Sequence, residues 1–159
     1  QDNGDKLYRR SLYTYWKRTV TPPSMAVFDA PSREYCTVQR SRTNTPLQAF
    51  VLLHDPQFVE AARALAEKML VEGGFSPAAQ IEFGFQRCLG RLPTAAEQQT
   101  LLASYQQWFA QYRADPKAAK TLLSIGDSPR DETLPLANHA AMTSVARLLL
   151  NLSEFITKG

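Results

Sequence analysis

Arg33, Arg40 and Arg42, with Asn44 beside them, crowd the chain just before Thr45-Pro46, where a helix is expected to begin. Free backbone N–H groups and the helix dipole both favour negative charge at such a start. Guanidinium groups gathered there would suit an anionic ligand, and a sulfated polysaccharide is the substrate class that fits. The same arginines could instead pair with Asp29, Glu34 or Asp55 and lock an irregular segment onto the helices, because arginine forks commonly satisfy carboxylates and carbonyls in long loops. Spacing alone leaves both readings open.

Other reactive residue types form no recognisable constellation. His54 and Asp55 are adjacent at a helix corner, and Cys36 could join them as a metal ligand or as half of a Cys-His pair. His139 is the only other histidine and lies in an Ala-rich stretch; neither HxxxH nor HExxH occurs. No GxSxG elbow precedes a helix, and no Gly-rich phosphate loop follows a strand. Cys36 and Cys88 match no zinc pairing, no CxxC and no CxxCH, and a disulfide between them stays open. The reading therefore names no catalytic residue, no metal ligand and no cofactor for this chain, and leans away from an enzyme.

Tyr8, Leu12, Tyr15 and Trp16 fall on one stripe of a helix expected from about Lys6 to Arg18, with Arg9, Arg10 and Lys17 mostly elsewhere. Aromatic platforms beside cations can stack on sugars or bases. An aromatic helical stripe is more often core or an interdomain contact, and here the expected partner is the upstream part of the same polypeptide. The net charge of +3 is concentrated early: residues 1–45 hold eight Lys/Arg against four Asp/Glu, and the remainder holds ten against eleven. That bias falls short of the basic stripe of a nucleic-acid footprint, so nucleic acid is disfavoured as a partner. The apolar runs are too short for a membrane span.

The elements that must position these residues are legible from their starts. Thr45-Pro46, Asp55-Pro56, Ser76-Pro77 and Asp115-Pro116 each place a capping side chain before a proline that costs no intrahelical bond at the first position. Thr45 with Gln48, and Thr94 with Glu97, read as capping boxes. Helices are expected over 57–71, with Arg63, Glu67 and Lys68 outside its apolar stripe, and over 78–89, 95–114 and 134–152, the last apolar enough to lie centrally. LQAFVLL at 47–53 reads as a short buried helix, and 117–124 as a short segment. Pro22, Pro23 and Pro31 block regular structure in 19–44, expected to be extended or irregular. Residues 125–133 carry turn chemistry and read as a mobile loop. The fold class is all-α: a single domain over 1–159, an irregular multi-helix bundle with a long Pro-rich, Arg-containing extended segment.

At RRSLYTYW, at PPSMAVFDAPSREYCTVQRSRTNTPLQAFVLLHDPQFVEAARALA and at the closing ARLLLNLSEFI, the chain resembles domain of unknown function 1553, the C-terminal domain of large planctomycete surface proteins. The likeness is specific around Thr43–Ala49 and Asp55-Pro56 and diffuse between Gly73 and Asp131. His54 stands where the family's LLND block usually has Asn. The resemblance implies the C-terminal portion of a larger polypeptide that is secreted, periplasmic or at the cell surface, with a haem-c domain often elsewhere in the parent. It implies no activity.

Overall fold

Pro23, Pro46, Pro56, Pro77 and Pro116 each open a helix, because a proline in the first turn gives up only an N–H that would have had no partner there. The computed structural model describes residues 8, 15, 16, 21–32, 34–39 and 43–157. Among them are eight helices and no strand: α1 (Pro23–Val27), α2 (Pro46–His54), α3 (Pro56–Glu72), α4 (Pro77–Leu89), α5 (Ala95–Ala114), α6 (Pro116–Leu123), α7 (Leu136–Leu150) and α8 (Ser153–Ile156). The all-α class holds.

The expected caps are made. Asp55 Oδ1 accepts from Gln57 N–H, Ser76 Oγ from Ala79 N–H, and Asp115 Oδ1 from the N–H groups of Lys117 and Ala118. Both capping boxes close reciprocally, Thr45 with Gln48 and Thr94 with Glu97. Two local expectations differ. A helical turn, α1, sits inside the segment expected to be irregular, since Pro23 occupies its first position, where proline is tolerated. Tyr15 and Trp16, expected within a helix over 6–18, are not helical; Tyr8 has 3-10 backbone geometry, and Leu12 is outside the described residues.

The chain divides into two compact units, residues 1–51 and 52–159. In the second, α7 packs against α3, α5, α6, α4 and α8. His139 through Ala146 are all buried, as a helix surrounded on every side requires. Its buried hydroxyls are satisfied locally: Thr143 Oγ1 donates to His139 O and Ser144 Oγ to Ala140 O. Around it lie Ala62, Ala66 and Met69 of α3, Ile81 and Phe85 of α4, and Leu101 and Tyr105 of α5. Val59, Ala119, Leu122, Leu123 and Ala140 form a smaller cluster. The α3–α4 contact is close: a Cβ on Gly84 would lie 2.6 Å from Met69 Sδ, so a larger residue there would require the Met69 side chain to shift.

The amphipathic reading of α3 needs one correction. Arg63, placed outside the stripe, is buried together with Glu60. The 123–131 segment covers that side of the helix, and its carbonyls, amides and the Ser128 hydroxyl hydrogen-bond both charged groups, leaving Arg63 Nε without a partner.

Candidate functional site

In the first unit, Asp29 adopts a left-handed backbone (φ 57°), which a short polar side chain tolerates better than a branched one. The turn aims its carboxylate at the start of α2. Thr43 donates to Asp29 Oδ2 from its N–H at 2.9 Å and from Oγ1 at 2.7 Å. Gln48, almost fully enclosed, donates from Nε2 to Val27 O at 2.8 Å and to Thr43 Oγ1 at 3.0 Å. Its Oε1 accepts from Thr45 N–H. One amide side chain therefore ties α1, the Asp29 turn and the α2 cap together.

This geometry bears on the arginine cluster. Arg33, Arg40 and Arg42 lie outside the described residues, and Asn44 is exposed. At the start of α2, the N–H groups of Thr43, Thr45 and Gln48 already donate to protein groups, and Pro46 has none. Asp29 places a carboxylate against Thr43, two residues before the Thr45 cap.

In the second unit, α3 carries Glu60, Arg63 and Glu67 at helical spacing on the face that meets residues 123–131. Glu60 accepts from Asp127 N–H (2.7 Å), Ser128 N–H (3.3 Å) and Ser128 Oγ (2.6 Å). Arg63 donates to Leu123 O (2.8 Å), Ser128 O (2.6 Å) and Ser128 Oγ (2.7 Å). Glu67 Oε1 accepts from Asp131 N–H at 3.2 Å. Buried charges are tolerated when hydrogen-bonded in this way, and here the loop backbone supplies the partners. Ser128 Oγ donates to one charged residue and accepts from the other, so its hydroxyl is held in place and is not poised as a nucleophile.

His139 lies under the same loop. Its ring is fully enclosed, and neither nitrogen has a partner at hydrogen-bonding geometry; Glu67 Oε1 is 3.6 Å from Nε2. Burial pushes its pKa below the ordinary imidazole value, with the Glu67 carboxylate and the Arg63 backbone carbonyl pulling the other way and the charges of Arg130 and Arg63 adding to the depression. Asp131 is held below the usual carboxylate range, chiefly by the hydroxyl and N–H of Thr133.

A third polar group braces the far end of the unit. Arg91, just after α4, donates to Glu97 at 2.8 and 3.0 Å and to Glu154 at 2.7 and 2.8 Å. Its guanidinium also lies 4.8 Å from the centre of the Phe85 ring. Arg91 and then Thr94 lower the Glu97 carboxyl to about 2, and Arg91 lowers that of Glu154. Fork-to-carboxylate pairing of this kind joins the α4–α5 connection to α8.

His54 and Cys36 are exposed, Asp55 is engaged as the α3 cap, and both cysteines are free thiols. Among the described residues, no group of three or more His, Cys, Asp or Glu could hold a metal ion. No helix among them is long and apolar enough to cross a membrane. Sequence reasoning missed the Glu60–Arg63–Glu67 face. The available signal was the placement of these three residues along one side of α3, next to the apolar stripe.

A family model described as "PSD1: Protein of unknown function (DUF1553)" matches residues 1–105. No curated protein and no solved structure matches the chain.

Proposed function

Since the chain belongs to the DUF1553 family of proteins of unknown function, we propose that it is a non-catalytic helical module that packs against other domains of a larger secreted or cell-surface polypeptide. One observation carries this reading. The first unit leaves large apolar side chains on its surface, with Tyr15 84%, Tyr35 73% and Val38 104% exposed, and Tyr8 half exposed. Large apolar side chains left uncovered in this way support a contact role for the unit. The charged groups of the second unit, in contrast, are used in bracing loops and helix ends. The parent polypeptide, of the planctomycete surface type, would supply the upstream domains that cover the exposed face and would carry any haem c outside this chain.

The test is hydroxyl-radical footprinting of Tyr8, Tyr15 and Tyr35 in the parent polypeptide and in the separated chain. Lower oxidation of these tyrosines in the parent is the expected result. Equal oxidation in both would remove the packing role.

A further inference from the structure

We propose that His139 and Glu67 form a proton-sensitive latch that holds residues 126–133 on α3 at neutral pH and releases them in mild acid. The latch rests on shared use of one carboxylate oxygen. Glu67 Oε1 accepts from Asp131 N–H at 3.2 Å and lies 3.6 Å from His139 Nε2. A protonated imidazole is drawn to that oxygen, beside the backbone carbonyl of Arg63. Asp131 N–H donates to the same oxygen, and drawing the Glu67 carboxylate toward the ring lengthens that 3.2 Å bond and loosens the loop.

The charged groups facing His139 come from two elements. Glu67 and Arg63 approach from α3, and Arg130 and Asp131 from the loop. Closed, the site sets two guanidinium groups against the two carboxylates, and the ring has no contact with water. Opened, the loop carries Arg130 away and lets water reach the ring. A proton therefore binds more favourably to the open form, and by linkage it shifts the balance toward opening. Arg63 Nε and Arg130 Nη1, like both His139 nitrogens, are buried without a partner, so the closed arrangement has little reserve for a further positive charge.

The direction follows from the sign of the linkage. The open form binds the proton with about the ordinary imidazole pKa of ~6.5, and the closed form only at lower pH, so closure weakens as pH falls through that value. When the closed form stays unprotonated, the opening equilibrium at pH 5.5 is about tenfold larger than at pH 7.5.

Amide hydrogen exchange on the complete chain, corrected for intrinsic rates, reads this directly at Asp127, Ser128 and Asp131. About tenfold loss of protection at pH 5.5 relative to 7.5 is expected there, while amides in the middle of α5 keep theirs. In His139→Gln, the loop amides should show the same protection at both pH values. Unchanged protection in the parent chain, or the same pH response in the variant, overturns the latch. Should His139→Gln not fold, the His139 ring signal in NMR decides: a midpoint below 6.5 that tracks loop exchange supports the proposal, and an ordinary midpoint rejects it.

Discussion

Gly126 stands directly against the carboxylate of Glu60, with its backbone at φ 102°, and a Cβ there would overlap the carboxylate oxygen. Two constraints meet at one residue. The left-handed backbone disfavours any residue with a side chain, and the close approach is what lets Asp127 N–H reach Glu60 Oε2 at 2.7 Å. Gly126→Ala is therefore expected to destabilise the chain by about 1–3 kcal/mol, read from the urea midpoint. A midpoint equal to that of the parent would show that Glu60 can move aside at little cost.

Arg63 gives the second expectation. Its guanidinium supplies Leu123 O and both oxygens of Ser128 from a buried position. Arg63→Met keeps the apolar stem of the side chain and much of its packing but removes the guanidinium donors. Each buried acceptor left without a partner costs about 1–3 kcal/mol, so the variant should be less stable, and the amides of Asp127 and Ser128 should exchange faster than in the parent. The same measurement on the parent chain decides between composition, which marks 125–133 as mobile, and tethering to α3, which expects protected amides.

How much of this was visible beforehand depended on whether a signal was local. Helix starts were, because a cap, a proline and three or four residues fix them: Thr94 with Glu97 announced α5, and Asp115-Pro116 announced α6. The central place of α7 followed from an apolar stretch without a polar face. Arg63 was different, since a charged residue beside an apolar stripe reads as solvated unless it is known that residues 123–131 fold back over it. That contact spans some sixty positions in sequence, and no local pattern encodes it. The arginine cluster before Pro46 was the sharpest chemical signal in the sequence. The Asp29 carboxylate that accepts from Thr43 just before α2 is aimed by a left-handed turn, which was not foreseeable from FDAP alone.

The Arg91 brace sets an acid limb. Its two carboxylates have pKa values below the ordinary range, with Glu97 at about 2, so between the ordinary value of about 4.5 and 2 the unfolded chain binds more protons than the folded one. Stability from this group is complete above the upper value and drains as pH falls through the window. Arg91→Met should shallow the dependence of the urea midpoint on pH between 4.5 and 2, leaving the residual lowering that Thr94 exerts on Glu97. An unchanged slope would mean that these exposed pairs are screened to irrelevance.

Thiol chemistry separates the two cysteines. Cys36 is exposed, whereas Cys88 packs against the α3–α4–α5–α7 core, where burial pushes its thiol up to about 11 despite the nearby Arg87. Only the thiolate attacks a disulfide reagent, and a group titrating near 11 is ionised to roughly one part in a thousand at pH 8. One equivalent of thiol should therefore react at once with an aromatic disulfide in the native chain, and the second only in denaturant. Cys36→Ser should abolish the fast phase and leave the slow one. Two fast equivalents in the native chain would place Cys88 at the surface and contradict the packing of α4 against its neighbours.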